Sequence, residues 1–407
     1  MKAEYIQELL AQSPSGTTVV LPEQHFEFTE PIAITGLQQV TVDARRATFM
    51  MPAAAKRWLT IDRCDGMRWR GGRWLGADTI QRVVDLCTKT NAEKTEPTNA
   101  DFGHALCINK CEEFTLENPV MRGYDRCLDV HQSHNFTLEC GSFVGIYDGK
   151  MSKWIDGVFQ TIAKDVARSI YAVNVRNSHF FAWTDGSAKL AGGALVAGSG
   201  DDGGSSRYMR IERLQCWDSA DNGVYGSSAP YAKVTDSRFF NFHNGHAVKL
   251  RGPGVQIRDN EAWGGYWGFA VEGIGTKPDE FGAAAYGCRV EGNLVEGARD
   301  GAMQIDQTAG GLLFPRHTTI VGNHCYSCGT GATDKRRALV PPIYLEGGYG
   351  YHIDGNVAVG YAHDAFLYLA SPTGRTIIGS GNVTSKSPAV VVGKSQFQVP
   401  ANGLSFM

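Results

Sequence analysis

The 407 residues carry 39 basic against 42 acidic side chains, a formal net charge of −3, with no basic block or stripe. That balance excludes sequence-independent nucleic-acid binding, which depends on neutralising many phosphates. No apolar run approaches the roughly 20 residues that span a bilayer, so no membrane association is expected. Ten cysteines are too few for a disulfide scaffold, and Cys325-Tyr326-Ser327-Cys328 is the one CxxC, without a second CxxC or a matching histidine pair. These cysteines read as core or turn residues and not as a metal site. The 49 glycines recur singly, as regularly spaced turns require, and a 43% hydrophobic content is ample for a packed interior.

Met1-Lys2 is followed by polar residues and only a brief apolar stretch, Ile6 to Leu10, which is not a signal-peptide pattern. The expected setting is cytoplasmic, or virion-associated or extracellular after release. Residues 3–12 read as a short amphipathic helix covering the open edge of the first coil, since an unpaired sheet edge invites association. Residues 1–35 are assigned to this cap and the first strands. No useful 3.6-residue periodicity appears after residue 13; short alternating strands separated by turns replace it.

Internal repetition is the strongest signal. Uninterrupted repeats cover 109–130, 228–252, 253–273 and 348–371, while others carry loops at 77–104, 274–287 and 307–340. One phrase recurs: Ile257-Arg258-Asp259-Asn260, Val290-Glu291-Gly292-Asn293, Ile320-Val321-Gly322-Asn323 and Ile353-Asp354-Gly355-Asn356, with a degenerate form ending at Asn382. Each is followed by a turn and a strand: Ala247 to Arg251, Ala270 to Glu272, Ala302 to Asp306, Ile343 to Glu346, Leu367 to Leu369. Stacked on successive coils, the asparagine amides can donate one to the next as an internal ladder. The expected architecture is all-β: a right-handed parallel β-helix of about twelve coils over 36–395, with 396–407 as a C-terminal tail.

The opening helix, then Thr17-Thr18-Val19-Val20-Leu21-Pro22, Phe26-Glu27-Phe28 and Val40-Thr41-Val42, resembles the start of pectin-lyase-like β-helix proteins. That superfamily includes polysaccharide lyases, polygalacturonase-type hydrolases and phage tailspike depolymerases. The resemblance covers nearly the whole chain and implies a polysaccharide or oligosaccharide partner. By analogy with tailspikes it also implies a homo-oligomer, a trimer, with Phe180-Phe181-Ala182-Trp183 and Phe239-Phe240-Asn241-Phe242 as exposed contact runs.

Alternation of aliphatic residues places Val248, Val271, Met303, Ile343 and Leu367 inside. Lys249, Glu272, Gln304, Tyr344 and Tyr368 then share one outer column, and Arg251, Asp306 and Glu346 a second; earlier coils add Tyr225, and Asp129 with His131. Three carboxylates beside two cations and two tyrosines are what glycoside cleavage needs: an acid, a nucleophile or base, and donors for hydroxyl groups. In this register Asp306 and Glu346 stand about 5 Å apart and Glu272 about 8 Å from Asp306, spacings that fit a retaining and an inverting glycosidase respectively. Glu272, Asp306 and Glu346 are therefore the expected catalytic residues, with Lys249, Arg251 and Tyr344 binding substrate.

A second constellation is expected in turns before strands: Asp202 in Gly200-Asp201-Asp202-Gly203, Asp221 in the segment 217–223, and His243. Polygalacturonases carry aspartates and a histidine in similar turns, although their double aspartate, Gly-His-Gly and Arg-Ile-Lys do not occur together here. Trp263 and Trp267, in a glycine-rich turn with Tyr266, are expected to be exposed and to stack on pyranose rings. A glycoside hydrolase without cofactor is the leading expectation. The alternatives are a lyase, with Lys249 or Arg251 as base and calcium held by Asp306 and Glu346, and a non-catalytic adhesin or receptor-binding fibre.

Overall fold

The computed structural model describes all residues except 53–55, 77–103, 125, 147–156, 166–169, 184–192, 203–205, 218, 220–221, 243–244, 274–284, 308–314, 330–339, 371–374, 387–388, 393–394 and 407. The chain divides into two compact units, residues 1–221 and 222–407. Each is a parallel β-helix of three sheets, right-handed as crossovers between parallel strands are.

In the first unit the helix Glu4–Ala11 turns Ile6 and Leu10 inward, fully buried, and packs against the strand Ile32–Thr35. Strand then follows strand at one level per coil: Thr18–Val20 pairs with Thr41–Asp43, which pairs with Arg68–Arg70, all parallel. The interior is aromatic near the start, where the rings of Phe26, Phe49, Trp69 and Trp74 pack with centroids 4.3–6.0 Å apart. The third sheet runs through Arg57–Asp62, His104–Asn109, Arg126–His131, Gly157–Asp165 and Gly193–Asp202.

In the second unit the third sheet runs through Val224–Gly226, His246–Arg251, Trp267–Gly273, Gly301–Gln307, Ile343–Leu345 and Leu367–Leu369. The parallel stack ends when Ser395–Gln398 turns back antiparallel on Ala389–Val392 and Leu404–Phe406 on Thr376–Ile378. Among the described residues no helix is long and apolar enough to cross a membrane.

The recurring phrase has a local cause. The residue before each asparagine is left-handed: Asp259 at φ 56°, Gly292 and Gly322 at 66°, Gly355 at 63°. Aspartate and glycine tolerate that conformation, and the sharp turn it makes throws the next side chain inward. The asparagines are buried, and each Nδ2 donates along the stack: Asn260 to Asn293 (3.0 Å), Asn293 to Asn323 (2.9 Å), Asn323 to Asn356 (3.0 Å) and Asn356 to Asn382 (3.0 Å). The expected ladder is present.

The phenylalanine runs are not the exposed surfaces expected of them. Phe180, Phe239 and Phe242 are buried in the coil interior, and Phe240 is half-buried against Trp263; the side chains of Phe181 and Trp183 lie outside the described residues. Alternation along a strand already places every second residue of such a run inside.

Candidate functional site

The outer face of the third sheet in residues 222–407 carries two columns. Tyr225, Lys249, Ala270, Gln304, Tyr344 and Tyr368 share one level. Arg251, Glu272 and Asp306 share the next. Glu346 follows Leu345, the register partner of Ile305, and donates its backbone N–H to the Ile305 carbonyl at 2.8 Å, so it stands beside Asp306.

This corrects the sequence-derived register. Glu272 belongs to the column of Arg251 and Asp306, not to that of Lys249, because Val248 pairs with Phe269 and Leu250 with Val271. A slip of two residues leaves each side chain on its face but changes its neighbour. Glu272 and Asp306 are therefore on adjacent rungs, about 4.8 Å apart at the backbone, and the separation expected for an inverting pair is absent.

Glu272 is only 4% exposed, against the free solvent-facing position expected of it. Lys249 Nζ lies 2.6 Å from its Oε1, and Arg251 donates through Nε and Nη2 to its Oε2 at 2.8 and 2.7 Å. Burial pushes the Glu272 carboxyl upward, but the Lys249 and Arg251 charges together outweigh it and leave it below its ordinary range. Burial likewise works against the Arg251 guanidinium, and the Glu272 charge more than restores it. Arg251 also lies over the Tyr225 ring, 5.3 Å from the centroid. Glu272 is thus a fixed anion that aims two cations.

Asp306 is held differently. Gln304, two residues back on the same face, donates from Nε2 to Asp306 Oδ2 at 2.8 Å, and its Oε1 lies 2.7 Å from His246 Nε2. Burial, and after it the Lys249 charge, push the His246 imidazole down to about 3, so it is neutral. Its ring stacks on Trp267, 6.0 Å between centroids. Sequence reasoning does not select His246 or Gln304 for the site. The signal lies in polar residues interrupting strands that are otherwise apolar.

Trp267 is not an exposed platform: it is 2% exposed. Its register partner on the next coil is Gly301, where an added Cβ would lie 2.5 Å from the indole, so the ring lies across the missing side chain. Tyr344 meets it edge-on at 6.3 Å and stacks on Tyr368 at 5.2 Å, and both tyrosines are half-buried. Trp263 ends the strand Glu261–Trp263 of the second sheet, stacked on Phe240 at 4.8 Å, and is not on the face of Glu272.

Of the second constellation, Asp221 and His243 lie outside the described residues. Asp202 is not in a turn; it ends the strand Gly193–Asp202, level with Asp165, and its side chain is outside the described residues. In the first unit Asp129, fully buried, has Oδ2 2.7 Å from His104 Nδ1 and 3.8 Å from His131 Nε2. Among the described residues no group of three or more His, Cys, Asp or Glu is placed to hold a metal ion.

No family model matches the sequence, and no curated protein matches it. Solved structures do. PfbA, a surface adhesin of Streptococcus pneumoniae, aligns with a TM-score of 0.57 at 13% identity, over 98% of this chain and 91% of its own. The Dettilon tailspike protein aligns at 0.53 and 11%, over 92% of this chain and 61% of its own. A hyperthermoactive exopolygalacturonase from Thermotoga maritima aligns at 0.51 and 9%, over 99% and 88%. At these identities the likeness is one of fold: the chain is built as the pectin-lyase-like parallel β-helix proteins are.

Proposed function

We propose that the protein binds a polysaccharide on the outer face of the third sheet in residues 222–407 and hydrolyses it with retention of configuration. The observation that carries this reading is the column Arg251–Glu272–Asp306–Glu346, in which two carboxylates on adjacent rungs follow one that two cations already neutralise. Adjacent rungs stand about 4.8 Å apart, close to the roughly 5–5.5 Å between the carboxyl groups of retaining glycosidases. Asp306, accepting the Gln304 amide, is the nucleophile: its oxygen bonds to the anomeric carbon as the glycosidic bond breaks. Glu346, half-buried beside it, gives its proton to the departing oxygen and then takes one from the water that releases the sugar. Tyr344 and Tyr368 present stacked ring edges to the substrate, while Lys249 and Arg251 hold its polar groups. The tailspike and exopolygalacturonase that share the fold are consistent with a glycan ligand.

Lyase chemistry is disfavoured on the same geometry. Lys249 would have to leave its 2.6 Å ion pair with Glu272 before taking a proton from substrate.

The test is a panel of neutral and acidic polysaccharides, with products followed by reducing-end release, ultraviolet absorbance and NMR of the new anomeric centre. Retained configuration without an absorbing double bond is expected, with Asp306→Asn and Glu346→Gln each losing about 10²–10⁴-fold in turnover. An unsaturated product would replace the hydrolase by a lyase. Binding without cleavage would leave an adhesin, the role PfbA has.

A further inference from the structure

We infer that His246 is the positioning residue that keeps Asp306 a carboxylate, acting through the Gln304 amide. This rests on the reading of Asp306 as the nucleophile and adds what sets its protonation. The buried chain is His246 Nε2, Gln304 Oε1, Gln304 Nε2, Asp306 Oδ2, with contacts of 2.7 and 2.8 Å. An amide has one donating and one accepting end, so the Gln304 side chain can face Asp306 in two ways, with its N–H or with its carbonyl.

In the first, Asp306 is ionised and accepts the Gln304 N–H, and the Gln304 carbonyl accepts N–H from His246 Nε2. Nδ1 of His246 then carries no hydrogen. A proton on Asp306 Oδ1 would leave Oδ2 a weaker, uncharged acceptor of that N–H; in the second, a proton on Oδ2 is donated to a rotated Gln304 carbonyl, the amide N–H points at Nε2, and the imidazole hydrogen must move to Nδ1. That nitrogen is buried and has no hydrogen-bond partner among the described residues. The second state therefore creates a buried N–H without an acceptor, a defect proteins rarely tolerate. Adding a proton to the ring instead is opposed by its burial and by the nearby Lys249 and Arg251.

His246 thus makes protonation of Asp306 unfavourable without touching it. The ring is held in place from two sides, since its backbone N–H donates to Asn222 Oδ1 at 2.9 Å and its face lies against Trp267. A purely structural histidine at this position would need only shape.

The experiment uses the full chain without substrate. ¹⁵N shifts of the imidazole report the tautomer, and ¹³C shifts of labelled aspartate carboxyls report the ionisation midpoint of Asp306, assigned by its absence in Asp306→Asn. His246 is expected as the Nε2–H tautomer throughout the neutral range. In His246→Met, which has no donor, the Asp306 midpoint is expected to rise by about one pH unit or more. In His246→Gln, whose amide can donate in place of Nε2, it should stay near the wild-type value. Gln304→Met breaks the chain from the other side and should also raise the midpoint, which keeps the test decisive if His246→Met does not fold. A Nδ1–H tautomer in the wild type, or an unchanged midpoint in His246→Met or Gln304→Met, overturns the inference. Full glycan cleavage by Asp306→Asn would instead remove the nucleophile assignment and leave the protonation linkage standing.

Discussion

Both units bury a carboxylate on the outer face of the third sheet, and they surround it differently. Glu272 in residues 222–407 is gripped by Lys249 and Arg251, whereas Asp129 in residues 1–221 has the rings of His104 and His131 against it. A lysine and an arginine carry charge across the whole working range; an imidazole carries it only when protonated. The first arrangement keeps a strongly charged cluster assembled near a pair of further carboxylates. The second has countercharge that depends on conditions, and Cys107, the Cα partner of Asp129, shows its neighbour's charge: burial first, then Asp129, push that thiol up to about 12.

The largest effect should come from breaking the permanent grip. Glu272→Gln leaves two half-buried cations without their buried anion and is expected to cost about 3 kcal/mol of stability, the lower end for a broken buried pair because solvent reaches both cations, read as the free energy of chemical unfolding. Glu272→Leu with Lys249→Met and Arg251→Met should recover much of that loss, because replacing a buried ionic cluster whole by apolar residues is often neutral. A loss for Glu272→Gln no larger than for an exposed pair would mean that the cluster is solvated.

That expectation reverses the one the sequence supports, and the reason is instructive. The strand Trp267–Gly273 is buried at every position, so alternation supplies no phase. Aliphatic matching alone sets Val271 against Val248, two residues from its true partner, Leu250. Parity survives the slip, so the inward and outward faces are read correctly, but Glu272 is separated from Arg251. The fold is legible because its repeat is written in turn residues: a left-handed aspartate or glycine followed by an inward asparagine recurs on four successive coils, at Asn260, Asn293, Asn323 and Asn356. Burial of Trp267 is not legible, since it depends on Gly301, 34 positions later, standing beneath the ring.

The corners of the coils supply the next contrast. Where the first sheet turns into the second, residues 222–407 carry the ladder Asn260, Asn293, Asn323, Asn356, Asn382; in residues 1–221 the matching positions include Pro119, Gly141, Ser178 and Leu214, with a single Ser178 hydroxyl accepting from Gly141 N–H at 3.1 Å. Bracing there moves to another corner, where Cys64 N–H donates to Cys111 Sγ at 3.4 Å and Cys111 N–H to Ser133 Oγ at 3.0 Å. Asn293→Ala removes an acceptor shared by the backbone and side chain of Asn260, and a donor to Asn323 and to the Ile257 carbonyl. It should cost about 2–3 kcal/mol, the upper part of the roughly 1–3 kcal/mol for an orphaned buried polar group because several are orphaned at once, measured as a shift of the urea midpoint.

Acid should separate the units' charge designs further. His246 is held near 3 in the folded protein against an ordinary 6.5, so between those values the unfolded chain binds the extra proton and stability falls as pH falls. From pH 7 to 5 this amounts to about 2 kcal/mol, the 1.5-unit interval below 6.5 at about 1.36 kcal/mol per unit. His246→Gln should flatten that limb. Glu272 has the opposite ionic form but the same direction: its lowered carboxyl contributes stability above its ordinary 4.5, which is lost as pH drops further. Unfolding curves at pH 7, 6 and 5 for the two chains check the sign; parallel curves would mean that His246 takes up its proton at the same pH folded as unfolded.

The smallest effect tests whether the two ladders are the same device. Serine is introduced at one rung of each. Cys111→Ser places a hydroxyl where the next rung, Ser133, already accepts Cys111 N–H and donates to the His131 carbonyl at 2.8 Å. The hydroxyl is a better acceptor for Cys64 N–H than a thiol, and the volume change is slight, so stability should move by less than about 1 kcal/mol. Asn293→Ser cannot behave this way. A hydroxyl is too short to take both Asn260 donors and still reach Asn323, so the stack is cut in two and the loss should approach that of Asn293→Ala. Near-equal costs at the two positions would show that any small polar side chain braces a corner. A ratio of several-fold would show that the amide's two ends, stacked on successive rungs, hold residues 222–407 in the register that brings Glu272 beside Asp306.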